Sequence, residues 1–202
     1  MKVAFGFKAH SGWAALVVLG KEKNDLVVVD RRRVELVENE WARQPYHAAE
    51  GLKPEAAEDL VQRGIKAAHT LASREVREAV KRESQRKNEV KACGVLVGSS
   101  MPDWSVAEIL AVHFRMHKAE GVLFQNALVR ASEKCKLNTL PVLEKELLEQ
   151  ATGQLGDKIV KQIAILGKSV GPPWGKDQKD ATLAALIALS HSNTQKAQTK
   201  PQ

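Results

Sequence analysis

Apolar and polar positions along the chain alternate between strand-length and helix-length patterns. Residues 2–8, KVAFGFK, form a strand-like apolar run with lysine at each end. A polar turn ending at Gly12 separates it from a second run, Trp13 to Leu19. After a polar cluster at residues 20–25 comes Leu26 to Val37, whose second half alternates apolar and polar. Three strands joined by short turns predict an antiparallel meander. Residues 38–53 read as loop. From Pro54, a residue suited to a first helical turn, to about Lys87 the chain is rich in Ala, Glu and Arg. Leu60, Ile65, Ala68, Leu71, Val76 and Val80 fall at helical spacing there. That segment is expected to be one long helix, or two broken near Gly64.

Val90 to Gly98 is a short apolar run, expected as a buried fourth strand. Residues 105–136 are helical by pattern, with a break expected near Gly121. Asn138 to Val142 is a short fifth strand, and residues 143–168 are helical around Gly153 and Gly156. Gly171-Pro172-Pro173-Trp174-Gly175 is a stiff loop before a final apolar helix from Asp177 to about Ser190. One domain over residues 1–190 is therefore expected, with a disordered polar tail over 191–202. The order β-β-β-α-β-α-β-α has crossovers long enough for parallel pairing after strands three and four. Strand one is then central, beside strand four. Ligand sites in open α/β sheets lie at the carboxyl ends of such strands, here Lys8 and Gly98-Ser99-Ser100.

Composition narrows the function classes. No apolar run reaches the roughly 20 residues of a membrane helix, so no membrane partner is expected. The N-terminus lacks the apolar core and cleavage site of a secretory signal, which makes a cytoplasmic location the expectation. Cys93 and Cys135 have no metal-ligand spacing and are expected as reduced, buried thiols. His113 and His117, four apart, share a helix face. With no neighbouring carboxylate to complete a zinc set, a surface or packing role is expected for them. The net charge of +7 favours an anionic partner, nucleic acid being the commonest. Its candidate contacts are Arg74, Arg77, Lys81 and Arg82 of the long helix. The acidic residues interleaved there support the plainer reading of a solvated face with i,i+4 pairs.

Three stretches carry a resemblance. They are residues 3–14, a strand and glycine turn; residues 119–142, a helix followed by a short strand; and Asp177-Gln178-Lys179-Asp180-Ala181-Thr182-Leu183-Ala184-Ala185. With the element order, the chain resembles the ribonuclease-H-like superfamily, and within it RuvC-type Holliday junction resolvases. The resemblance implies a five-stranded mixed sheet, a three-strand antiparallel meander plus two parallel strands, flanked by helices. It also implies carboxylates converging on two Mg²⁺ ions that activate water and stabilise the leaving oxygen. Asp177 and Asp180 match that motif. Lys8 stands where the family has Asp, and Gly98-Ser99-Ser100 where it has Glu.

Asp103 or Glu108 is the candidate to replace the missing Glu. Nothing in residues 1–20 replaces the missing Asp, because that stretch contains no acidic residue. The acidic pair has a plainer reading as well, since carboxylates in a helix's first turn are stabilised by the helix dipole. The functional expectation is a catalytically degenerate resolvase-like binding or scaffolding module. It would need no cofactor, and Lys8 would lie within about 4 Å, ion-pair distance, of Asp177 or Asp180. Its partner would be nucleic acid, a second copy of the chain or another protein. The alternative is an active Mg²⁺-dependent nuclease of the resolvase type. A third possibility is another fold that opens on three strands: the actin and sugar-kinase type, for which the Asp and glycine-rich phosphate turns are lacking, or the release-factor middle domain, for which no motif is present.

Overall fold

The computed structural model of the chain describes residues 1–23 and 25–198. Strands β1 (Lys2–His10), β2 (Trp13–Glu22) and β3 (Asp25–Glu35) form the antiparallel meander. A 3₁₀ turn (Glu40–Arg43) and the one-turn helix α1 (Pro45–Ala48) occupy part of the segment expected as loop. The long helix α2 (Pro54–Gln85) leads to β4 (Glu89–Val97), which pairs parallel to β1. Helices α3 (Val106–Leu110) and α4 (His113–Lys134) precede β5 (Asn138–Leu143), parallel to β4. A 3₁₀ turn (Glu144–Glu146), α5 (Leu147–Leu155), α6 (Ile159–Val170) and α7 (Lys176–Gln198) complete the chain. The sheet order is β3-β2-β1-β4-β5, with β1 central. Among the described residues no helix is long and apolar enough to cross a membrane.

Side chains alternate across the sheet with the period of two that strands impose. Val3, Phe5 and Phe7 of β1 pack with Ala72 and Val76 of α2 and with Phe124 and Leu128 of α4. Ala4 faces the opposite layer, among Leu183, Ala184 and Ala185 of α7. Lys8 continues that even-numbered series, so it points to the α7 side. Two glycines set how close α7 comes. A Cβ at Gly6 would lie 1.8 Å from the Ala181 carbonyl oxygen, and one at Gly94 would lie 2.1 Å from that of Ala184. Only a strand without side chains at these points lets the helix backbone rest on the sheet.

Helix α2 has 32 residues, about 48 Å at 1.5 Å per residue, whereas a nine-residue strand such as β4 spans about 30 Å. Its second half covers the sheet. Its first half, with Ala57 and Val61, joins Tyr46, Val106, Ile109 and Met116 in a separate apolar cluster. Three boundaries differ from the pattern reading. Gly64 does not break α2; it admits Pro45, whose Cβ would lie 2.5 Å from an added Cβ. The break before α4 falls at Ala111 and Val112, and Gly121 lies inside the helix. Helix α7 runs on to Gln198 through polar sequence expected to be disordered. That stretch has no Gly or Pro, and Gln, Lys and Ala propagate a helix well once it is started. The expectation for residues 199–202 lies outside the described residues.

Candidate functional site

The carboxyl end of β1 meets the first turn of α7 in a cluster of charges. Arg31 of β3 fixes where α7 starts: its guanidinium donates to the carbonyls of Val170 at 2.8 Å, Gly171 at 2.9 Å and Pro172 at 3.0 Å, and also to that of Pro173. Trp174 Nε1 donates to the Ile163 carbonyl at 3.1 Å. The stiff loop is thus tied to β3 and α6. Asp177 and Asp180, three apart at the start of α7, turn one face toward β1.

Lys8 is 8% exposed. Its Nζ donates to Glu144 Oε1 at 2.6 Å and to Asp180 Oδ2 at 2.9 Å, and lies 3.9 Å from Asp177 Oδ1. The ion pair expected from the sequence is present. Burial alone would lower the Lys8 pKa, but the hydrogen bonds to Glu144 and Asp180, with the Asp180 charge, outweigh it and hold the ammonium above its ordinary value. Glu144 is held below the usual carboxylate range by the Lys8 hydrogen bond, against the opposing effect of burial. Two further residues belong to the cluster. His10 Nε2 is 3.0 Å from Asp177 Oδ2, and the His10 ring stacks on Trp13 at 4.3 Å. Lys176 bonds Asp180 and approaches Glu144 at 3.6 Å.

The third carboxylate comes neither from the end of β4 nor from the candidates Asp103 and Glu108. Glu108 accepts from the Ser105 backbone N–H and hydroxyl in a capping box, which holds it low. Asp103 is exposed in the loop before α3. Glu144 stands instead directly after β5, whose parallel pairing with β4 brings its carboxyl end to the same edge. In the sequence Glu144 is a carboxylate directly after the fifth strand, and parallel pairing of β5 with β4 brings it to the sheet edge of Lys8.

The basic residues of α2 are not part of this cluster. Arg74, Arg77, Lys81 and Arg82 sit on the helix that covers the opposite face of the sheet. Arg74 pairs with Glu38 at 3.2 Å and Glu75 at 3.4 Å. Arg77 and Lys81 are exposed, and Arg82 is half-buried. A groove between α2 and α4 is lined by Lys66, Arg74, Arg77 and Lys134, with no acidic residue in its wall. His69 in the same wall is held below the usual imidazole range, first by burial and then by the charges of Arg130 and Lys134.

His113 and His117 do share a face at the start of α4, with Nε2 atoms 3.1 Å apart. Contrary to expectation they have company. The His47 ring of α1 meets His113 edge-on at 5.1 Å and His117 at a tilt at 4.6 Å, and it is hydrogen-bonded to Glu120, three residues beyond His117.

No family model matches the sequence, and no curated protein matches it either. Solved structures do. A Thermus thermophilus RuvC structure aligns with a TM-score of 0.50 at 13% identity over 96% of both chains. T. thermophilus RuvC in complex with Holliday junction substrate aligns with a TM-score of 0.53, also at 13% identity and over 96% of both chains. With its sheet order, its helical layers and this likeness along nearly its whole length, the chain has the ribonuclease-H-like fold in its RuvC-type form.

Proposed function

We propose that the chain is a resolvase-like nucleic-acid-binding protein whose acidic centre is closed by Lys8 and does not cut. The observation that carries this reading is the Lys8 ammonium, 2.6 Å from Glu144 and 2.9 Å from Asp180. Two hard divalent ions need carboxylate oxygens with free lone pairs. Here one oxygen each of Glu144 and Asp180 is taken by Lys8, and Lys176 adds a second positive charge beside Asp180. Two unit charges 4 Å apart interact by about 4 kcal/mol at an effective dielectric of 20, and a divalent ion doubles the repulsion. The residues present therefore do not fit a Mg²⁺ pair.

Nucleic acid as the partner is supported by the net charge of +7 and by the acid-free groove between α2 and α4. The RuvC neighbour in complex with Holliday junction substrate adds to this support. Phosphate contacts of this kind weaken steeply as salt rises.

The test pairs binding with cleavage on four-way-junction DNA, duplex DNA and RNA–DNA hybrid. Binding that falls with salt, together with no Mg²⁺- or Mn²⁺-dependent cleavage, is the expected result. Cleavage that disappears in Asp177→Asn would establish the alternative, an active nuclease. Absence of binding at low salt would remove nucleic acid as the partner.

A further inference from the structure

We infer that His47, His113 and His117 form a binding site for one zinc-type divalent cation, held in place by Glu120. The site lies outside the acidic centre, in the helical annex formed by α1, the first half of α2, α3 and the start of α4.

The three ring nitrogens lie within 4.8 Å of one another. A zinc–nitrogen bond of about 2.0–2.1 Å in a tetrahedron places neighbouring nitrogens about 3.3 Å apart. His113 Nε2 and His117 Nε2 are 3.1 Å apart, close to that edge. One turn of helix supplies the pair, and α1 brings His47 across to it.

The second observation is Glu120, which is 2% exposed. One of its oxygens takes the His47 backbone N–H at 3.1 Å, and the other takes His47 Nδ1 at 2.8 Å. With Nδ1 engaged by Glu120, Nε2 is the His47 nitrogen left to meet a cation. A carboxylate holding a ligand histidine in this way fixes its tautomer and ring direction.

Three imidazoles select a borderline d-block ion over Mg²⁺ or Ca²⁺, which prefer oxygen. Three protein ligands leave a fourth position open, and His113 and His117 are exposed, so water or an anionic oxygen can fill it. His47 also lines a groove with Ser11, at the β1–β2 turn.

The experiment titrates chelator-treated protein with Zn²⁺ by calorimetry and with Co²⁺ by visible absorption. One equivalent with a tetrahedral Co²⁺ spectrum is expected. His113→Ala and His117→Ala, both at exposed positions, should each abolish the spectrum. Glu120→Gln should keep the stoichiometry and weaken affinity about 10–100-fold. His47→Ala separates a built site from an ordinary exposed histidine pair, and a loss of at least tenfold is expected. If His47→Ala does not fold, paramagnetic broadening of the His47 ring signals by Co²⁺ in the unmodified chain gives the same answer. No stoichiometric binding, or binding indifferent to His47 by either measure, overturns the site.

Discussion

Replacing Lys8 with methionine keeps most of the side-chain volume and removes the charge. Three carboxylates then face one another, with His10 3.0 Å from Asp177 and Lys176 3.6 Å from Glu144 and bonded to Asp180. Breaking a fully buried ion pair costs about 3–5 kcal/mol, while an exposed pair is worth about 0–1 kcal/mol. This cluster is intermediate: the Asp180 side chain is 13% exposed and that of Glu144 is 44%. A loss of about 2 kcal/mol is expected for Lys8→Met, which lowers Tm by about 4–8 °C in a chain of this size.

The dependence on pH identifies the cause. Glu144 is held low in the folded protein, so its contribution is present above the unfolded carboxylate pKa and lost as pH falls through the folded one. Lys8 is held high, so its contribution is complete below the unfolded lysine pKa and lost as pH rises through the folded one. The difference between wild type and Lys8→Met should therefore be flat from about pH 5 to pH 10 and shrink in acid as the carboxylates take up protons. Urea unfolding of both proteins across this range measures it. A neutral-pH difference below about 0.5 kcal/mol, within the range of ordinary surface substitutions, would refute the reasoning. So would a difference that persists undiminished once the carboxylates are protonated.

Lys8→Asp should place a fourth carboxylate in the cluster and make Mn²⁺ stabilise the protein, where it leaves the wild type unchanged; thermal shifts with and without the ion decide. Gly6→Ala and Gly94→Ala should each destabilise by about 3 kcal/mol or prevent folding, because the new methyl group meets the α7 backbone; denaturant melts are the check. Arg31→Ala frees the carbonyls of Val170, Gly171 and Pro172 and should cost about 2 kcal/mol. Fluorescence of Trp174 near that loop would report the loosening. Cys93 is buried beside Ser132, and burial pushes its thiol up to about 12, so it should resist thiol reagents until the chain unfolds. Half-buried Cys135 should react first.

The element order was legible because strands and helices leave different periods in the apolar pattern. The meander, the central β1, the two parallel crossovers and the acidic opening of α7 all follow from that order. The pairing of Lys8 with the acidic residues was legible too, since β1 and α7 each present a charged residue at the same sheet edge. Boundaries were less legible: Gly64 suggested a break, yet it is a point of close packing that only Pro45 across the interface explains.

Tertiary structure alone decided which distant residues share a site. Glu144 joins Lys8 across 136 positions because parallel pairing carries the end of β5 to the end of β1, and no local pattern encodes that distance. The basic residues of α2 lie on the opposite face of the sheet from the acidic centre, a placement set by how α2 packs on the sheet. His47 meets Glu120 over a separation of 73 residues because α2 outruns the sheet and holds α1 against α4. Local sequence determines what each segment becomes, since propensity and periodicity act over a few residues. Which side chains converge depends on packing between layers, which acts across the whole chain.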